Sequence, residues 1–179
     1  KMAADKGDYN GFSNYGKVLI QFSDDNQSDI EEGIKYIKLA ADNGDADSAK
    51  CYGDMLFDGF GVPMNVEESL KYYKKAVENG SYEAMFDYGF LLFEGNKYGI
   101  QTDQEEGAKY LKMAADNDFI DAMNEYGILL MNSEDNSFEN EKKYFKLFKK
   151  ASAKGLVESM YRYAFCLYKG KGVRSNHQK

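Results

Sequence analysis

The side chains that most often carry out catalysis are scarce and far apart in this sequence. There is one histidine, His177, in the polar segment that ends the chain, and there are two cysteines, Cys51 and Cys166. A nucleophilic site needs a nucleophile, a base and an orienting group close together, and a structural zinc site needs four cysteine or histidine ligands. Neither set can be assembled from these residues. The sequence therefore predicts no catalytic residue, no bound metal and no cofactor.

Carboxylates leave one route to chemistry open. They recur at regular spacing, at Asp47, Glu83, Asp121 and Glu158. Two carboxylates in opposed environments of one pocket would serve as the general acid and base of a hydrolase. The same positions also fall in the first turn of predicted helices, where a negative charge interacts favourably with the helix dipole. We favour this structural explanation, and a carboxylate-based hydrolase is the enzymatic alternative.

Composition excludes several classes of partner. The 179 residues include 23 Lys and Arg against 30 Asp and Glu, and the resulting charge of −7 opposes binding to nucleic acid or to an anionic membrane. Hydrophobic residues make up 43% of the chain, which is enough for a sizeable core. No stretch approaches the roughly eighteen consecutive apolar residues of a membrane-spanning helix. We expect a protein or peptide partner, no nucleic acid and no direct membrane insertion, and no small-molecule substrate is evident.

Two short patterns recur in step along the chain, every 36 to 38 residues. The first, Tyr15-Gly16-Lys17-Val18-Leu19, returns from Tyr52, Tyr88, Tyr126 and, with Ala164 in place of glycine, Tyr163. The second, Ala3-Ala4-Asp5-Lys6-Gly7, returns from Ala40, Ala76, Ala114 and Ala151. Two patterns per period predict two structural elements per repeat.

Both elements have the periodicity of helices. In the first element Ala84, Tyr88 and Leu91 fall on one helical face. Capping patterns predict that second helices begin near Ser28, Asn65 and Thr102, and glycines predict that they end before Gly44, Gly80 and Gly155. The glycine that follows the recurring tyrosine costs stability inside a helix, so it predicts a close approach of the partner helix at that point.

Three segments carry a resemblance to a known family. They are Ala84-x-x-x-Tyr88-Gly89-x-x-Leu92-x-x-Gly95, the loop Gly59-Phe60-Gly61-Val62, and Leu70-Lys71-Tyr72-Tyr73-Lys74-Lys75-Ala76 with its trailing Gly80. Together they resemble the Sel-1-like repeat family, whose members are related to tetratricopeptide repeats. The resemblance covers essentially the whole chain. It implies an all-α, right-handed α/α superhelical solenoid of antiparallel helix pairs, with about 37 residues per repeat.

The register predicts a single repeat array over residues 1–179. Residues 1–9 would end a preceding repeat, 10–45, 46–81, 82–119 and 120–156 would form four repeats, and 157–179 would be the first helix and loop of a fifth. Because neither end coincides with a repeat boundary, we expect the chain to be an excerpt of a longer array.

The resemblance implies that first helices line the concave side of the solenoid. Positions three before, one after and four after the recurring glycine would then face the groove, and we call these positions the groove stripe. The stripe is mainly polar in the first two repeats, with Ser13, Lys17, Lys50 and Asp54, so these positions are not obligatory core. It becomes apolar towards the C-terminus, and exposed apolar patches mark interaction sites. We predict partner binding at Phe86, Phe90, Phe93, Ile128, Met131, Tyr161, Phe165 and Tyr168.

These features predict a non-catalytic scaffold or adaptor that binds a peptide or protein on the concave groove. The resemblance implies the same, since members of the family are typically adaptors. One alternative is that the array serves an activity outside this segment, for example a kinase or ubiquitin-ligase-associated degradation. Another is a structural spacer whose stripe is buried by neighbouring repeats. An unpaired Cys51, predicted to be exposed, favours the reducing cytoplasm, with an endoplasmic-reticulum association as the alternative.

Overall fold

The computed structural model describes residues 9–24 and 26–173. This part of the chain forms nine α-helices and contains no strand. The helices are α1 (Tyr9–Gln21), α2 (Gln27–Asp42), α3 (Ala46–Asp58), α4 (Val66–Glu78), α5 (Tyr82–Glu94), α6 (Gln104–Asp116), α7 (Ile120–Met131), α8 (Phe138–Ala153) and α9 (Val157–Lys169). A short 3₁₀ turn, Gly95–Tyr98, follows α5. The segment 1–8, Asp25 and the segment 174–179, with the predicted end of a preceding repeat and His177, lie outside the described residues.

The chain divides into two compact units between Thr102 and Asp103. In the first unit α1 packs on α2, α2 on α3, α3 on α4, and α4 on α5. In the second unit α6 packs on α7, α7 on α8, and α8 on α9. Each unit is therefore built from helices that pack on their neighbours in sequence, as expected for a repeat protein.

The second helices begin within two residues of the predicted positions, but the predicted capping residue is confirmed at Asn65 and wrong at the two other positions. Asn65 caps α4 by accepting a 3.0 Å hydrogen bond from the backbone N–H of Glu68. The cap of α2 is Asn26 rather than Ser28, and the cap of α6 is Asp103 rather than Thr102. Asn and Asp are at least as effective as Ser and Thr at this position, so an Asn or Asp within two residues takes the role.

The predicted close approach at the recurring glycine is confirmed at Gly16, Gly53 and Gly127. A Cβ atom on Gly53 would lie 2.7 Å from the ring of Tyr73, and one on Gly127 would lie 2.7 Å from the ring of Phe148. At Gly16 it would lie 2.5 Å from a backbone carbonyl of α2. The missing side chain is what allows a large residue of the second helix to pack directly on the first helix.

The two cysteines differ in burial. Cys166 is fully buried with Tyr144 and Phe148 in the core of the second unit. Cys51 was predicted to be exposed, and that prediction is wrong: it is half-buried and packs against the core of the first unit. Burial raises the pKa of both thiols. The residues equivalent to Cys51 in the other repeats are Asn14, Asp87, Glu125 and Arg162. This polar position therefore accommodates an apolar contact when the side chain is short.

Each of the two Gly-x-Gly-Val loops folds back on an earlier second helix of its own unit. Gly61 lies against Ile30 and Ile34 of α2, and Gly172 lies against the backbone of Glu141 in α8. The backbone N–H of Gly172 also donates to a carboxylate oxygen of Glu141, at 3.2 Å. In both cases the loop that follows the first helix therefore attaches that helix to the preceding helix pair.

Candidate functional site

Two of the predicted binding residues line a cleft in the first unit. Phe86 and Phe90 lie one turn apart on α5, with ring centroids 5.9 Å apart and ring planes inclined by 28°. Both are half-buried, as is Phe93. The cleft has a volume of about 330 Å³ and is lined by Asp54, Phe57, Asp58, Tyr73, Phe86, Asp87, Phe90, Leu91 and Tyr98.

A second aromatic pair forms another part of the cleft wall. The rings of Phe57 and Tyr98 meet edge to face, with centroids 5.3 Å apart and planes inclined by 64°. Phe57 belongs to the groove stripe, but Tyr98 lies in the 3₁₀ turn after α5 and was not predicted. Among residues 9–24 and 26–173 this turn occurs in a single repeat, so the other repeats offer no equivalent position from which Tyr98 could have been predicted.

The polar side of the cleft is an ion-pair network. The ammonium group of Lys50 lies 2.8 Å from Asp54 Oδ2 and 3.3 Å from Asp87 Oδ2. The hydroxyl of Tyr73 donates a hydrogen bond of 2.9 Å to Asp54 Oδ1. The network joins three helices, since Lys50 and Asp54 lie on α3, Tyr73 on α4 and Asp87 on α5.

Burial controls the ionisation of this network. It raises the pKa of Asp87 to about 6, with a smaller contribution from the charge of Asp54 and an opposing one from Lys50. Burial also opposes the charge of Lys50, but the hydrogen bond to Asp54 and the charge of Asp87 outweigh it, so the pKa of Lys50 is raised. The pKa of Tyr73 is raised by burial and by the same carboxylates. Burial thus brings the pKa of Asp87 closer to neutral pH.

The network bears on the hydrolase alternative. Asp54 and Asp87 are two carboxylates in one cleft, which is the arrangement that alternative requires. Lys50, however, contacts both of them, and its ammonium occupies the position between them. An attacking water activated by one carboxylate and a leaving group protonated by the other would need that space. The two carboxylates are therefore organised around a shared ammonium group as a salt-bridge network.

The second unit contains another cleft, of about 490 Å³. It is lined by Met131 of α7 and by Val157, Glu158, Tyr161, Arg162 and Phe165 of α9. Tyr161 is 74% exposed, Phe165 42% and Tyr168 82%. Ile128 and Met131 are half-buried and pack against the core formed by Tyr144, Phe148 and Cys166. The described stripe residues on α9 are therefore much more exposed than those on α5 and α7.

At the groove-stripe position three residues before the recurring glycine, a polar side chain is not necessarily exposed. Ser13 and Asn124 are only 4% and 5% exposed. Ser13 accepts a hydrogen bond from Ser48, and Asn124 accepts one from Ser159. The inference that polar residues here exclude a core position is wrong at these two sites, because each has a hydrogen-bonding partner on the next first helix.

The recurring carboxylates lie where the helix-dipole explanation places them. Asp47, Glu83, Asp121 and Glu158 all occupy the first turn of a first helix, α3, α5, α7 and α9 respectively. All four are exposed. Within residues 9–24 and 26–173, no group of three or more His, Cys, Asp or Glu side chains could hold a metal ion.

The helix pairs, the glycines at three of their crossings and the two loops that bind a preceding pair define a helical repeat protein. The sequence profile of the Sel1 repeat matches residues 15–45, 52–81, 83–119, 120–156 and 157–179. The chain therefore belongs to the Sel1 repeat family, and the resemblance predicted from its sequence is confirmed. No curated protein sequence matches this chain significantly.

Two solved structures show the same fold. A Sel1 repeat protein from Oxalobacter formigenes is 22% identical and superimposes with a TM-score of 0.73, over 98% of this chain and 50% of that one. A protective antigen of uropathogenic Escherichia coli strains that displays an SLR fold is 19% identical, with a TM-score of 0.57, over 97% of this chain and 44% of that one. This chain spans about half the length of either. The predicted all-α repeat fold class is confirmed.

None of the described helices combines the length and the apolar character that crossing a bilayer requires.

Proposed function

We propose that this chain is a non-catalytic scaffold or adaptor that binds a protein or peptide through its groove stripe. The observation that carries the proposal is the exposure of aromatic stripe residues beside a cleft. Tyr161 and Phe165 line the cleft of the second unit and remain 74% and 42% exposed. Exposed aromatic side chains next to a concavity are the usual anchors of protein interfaces, because their burial on binding removes a large apolar area from water.

Two further points support the proposal. Repeats of the Sel1 family generally mediate protein–protein interactions. The stripe residues Phe86 and Phe90 on α5 are also only half-buried, and they line the cleft of the first unit. We propose a cytoplasmic location as well, because the two cysteines are unpaired and oxidising compartments favour disulfides.

The test compares purified wild-type chain with a Phe165→Glu variant in quantitative pull-downs from lysate. Leu39→Glu is the matched control, because Leu39 is also 42% exposed but lies on α2, away from the stripe. Circular dichroism must first show that all three proteins are equally helical. We expect one or more proteins to be retained by the wild type and by Leu39→Glu, and to be lost by Phe165→Glu.

A recovered partner is then purified and its affinity for each variant is measured by calorimetry. We expect Phe165→Glu to weaken binding at least about tenfold, since loss of a buried aromatic anchor costs about 2 kcal/mol or more. If Phe90→Glu weakens the same complex, the partner also contacts the first unit. Equal affinity for the wild type, Phe90→Glu and Phe165→Glu would exclude the stripe as the binding surface.

A further inference from the structure

The cleft of the first unit combines aromatic walls with an excess of negative charge. Its lining contains three carboxylates, those of Asp54, Asp58 and Asp87, and it contains no Lys, Arg or His. The only cation in contact with those carboxylates, among the residues that the structure describes, is Lys50. Three negative charges against one positive charge leave the cleft with a formal excess of two negative charges.

That excess is not neutralised elsewhere in the described residues. Lys50 is shared between Asp54 and Asp87, and Asp54 also accepts the hydroxyl of Tyr73. Asp58 is exposed, and its carboxylate forms no ion pair in the segments 9–24 and 26–173. Burial of Asp87 adds to the effect, because a partly desolvated carboxylate gains more from a nearby positive charge than one in water.

The aromatic walls limit which cation fits. Phe57 and Tyr98 form one pair of rings and Phe86 and Phe90 another, and all four line the cleft. Ring faces attract cations, and they favour a flat, weakly hydrated guanidinium over a compact, strongly hydrated ion. The carboxylates do not converge as metal ligands, since no triad of acidic side chains in the described residues could hold a metal. The volume of about 330 Å³ falls in the range of about 300–1,000 Å³ that is usual for ligand sites.

We propose that this cleft binds the guanidinium group of an arginine residue of the partner protein. This assignment rests on the proposed function and specifies one residue of the partner that the first unit recognises. The guanidinium group packs on the aromatic walls, and its N–H groups donate to the carboxylates of Asp58 and Asp87. Lysine binds more weakly than arginine, because its ammonium is a point charge that can neither stack on a ring nor donate in a bidentate fork.

The probe is Nα-acetyl-arginine amide, titrated into the ¹⁵N-labelled chain and followed by NMR. The comparison ligand is the corresponding citrulline amide, which keeps the shape of the side chain but has no charge. We expect the arginine compound to shift the amide signals of Phe57, Phe90 and Tyr98, with a dissociation constant at least about tenfold lower than that of citrulline. Equal affinity for the two compounds, or shifts confined to residues outside the cleft, would overturn the assignment.

Variants that neutralise one carboxylate test whether arginine binds in this cleft. Asp87→Asn and Asp58→Asn should each weaken arginine binding about fivefold or more, whereas Asp47→Asn should have no effect. Asp47 is the matched control because it is an exposed aspartate on the same helix as Asp58 but does not line the cleft. Asp58 is exposed, so its variant keeps the test decisive if Asp87→Asn folds poorly. Unchanged binding in Asp58→Asn and in a folded Asp87→Asn would exclude the cleft.

Failure of the arginine site can be distinguished from failure of the scaffold function that the pull-down tests. If a partner requires Phe165 but the cleft does not discriminate arginine from citrulline, the scaffold function stands and the arginine site is wrong. If arginine binds in the cleft but no partner depends on the stripe, the site stands as a cation site and the scaffold function fails.

Discussion

The hydroxyl of Ser48 donates a hydrogen bond of 2.7 Å to the hydroxyl of Ser13, and both side chains are buried. The second unit repeats the relationship between Ser159 and Asn124, at 2.8 Å. In each case a serine near the start of a first helix bonds to a polar residue on the preceding first helix, 35 residues earlier. A buried polar pair thus links consecutive helix pairs in both units.

Removing both members of this pair should cost less than the sum of the two single removals. Ser48→Ala leaves the hydroxyl of Ser13 buried without its partner, which costs about 1–3 kcal/mol of unfolding free energy, and Ser13→Ala has the reciprocal effect. The double variant buries neither hydroxyl, so its cost should be smaller than the sum of the two single costs by about 1 kcal/mol or more. Urea unfolding of the four proteins measures this coupling. Strict additivity would show that the bond does not contribute to stability.

Gly127 should be intolerant of a single methyl group. Alanine is the better helix former by about 1 kcal/mol, so an uncrowded site would gain stability. A Cβ atom at Gly127 would lie 2.7 Å from the ring of Phe148, which is fully buried and has little room to move. We therefore expect Gly127→Ala to lower the unfolding free energy by about 1–3 kcal/mol and Gly127→Phe to lower it further. Lys74→Ala, at an exposed position of α4, is the control and should have almost no effect.

The same contact predicts a specific rescue. Phe148→Leu removes the ring atoms that the new methyl group meets, at its own cost in lost packing. In that background Gly127→Ala should cost less than in the wild type, as measured by chemical unfolding. An unchanged cost would show that the destabilisation comes from another source than this contact.

Periodicity predicted the helices and the crossings because both depend on contacts that every repeat makes. Glycine destabilises the interior of a helix, so its recurrence at Gly53 and Gly127 was enough to predict a close contact there. Exposure on the groove stripe could not be predicted in the same way. Whether Ser13 is covered depends on which residue the next first helix places opposite it, and a single-helix pattern does not contain that information. Tyr98 illustrates the same limit, since it reaches the cleft from a 3₁₀ turn that occurs once in the described part of the chain.

Asp87 should make stability depend on pH between about 4 and 7. Its pKa is about 6 in the folded chain and near 3.8 when unfolded, so the folded state binds more protons across this interval. The contribution of Asp87 to stability is then fully present below about pH 4 and is lost as pH rises through about 6. Lys50 and Asp54 on α3 and Glu83 on α5 are the charged groups acting on it.

Asp87→Asn isolates this effect, because asparagine does not titrate. We expect the unfolding free energy of the variant, relative to the wild type, to rise by about 2–3 kcal/mol between pH 4 and pH 7.5. Urea titrations of both proteins at the two pH values give the comparison, in which the other carboxylates largely cancel. A difference that does not change with pH would mean that Asp87 ionises as it does in water.

The loop after α9 offers two glycines with the same backbone conformation and different surroundings. Gly170 and Gly172 have φ angles of 67° and 66°, so alanine at either position incurs the left-handed penalty of about 1–2 kcal/mol. A Cβ atom at Gly170 meets nothing within 4 Å, whereas one at Gly172 would lie 2.5 Å from the backbone carbonyl oxygen of Glu141. Gly172→Ala should therefore destabilise the loop more than Gly170→Ala.

Hydrogen exchange at residue 172 measures the difference directly. The backbone N–H of Gly172 donates to the carboxylate of Glu141, so its protection reports whether the loop is docked on α8. We expect Gly170→Ala to retain part of this protection and Gly172→Ala to lose it, because the helix backbone of Glu141 cannot shift to admit a methyl group. Equal loss in the two variants would mean that the φ angle alone, and not the contact with α8, requires glycine at position 172.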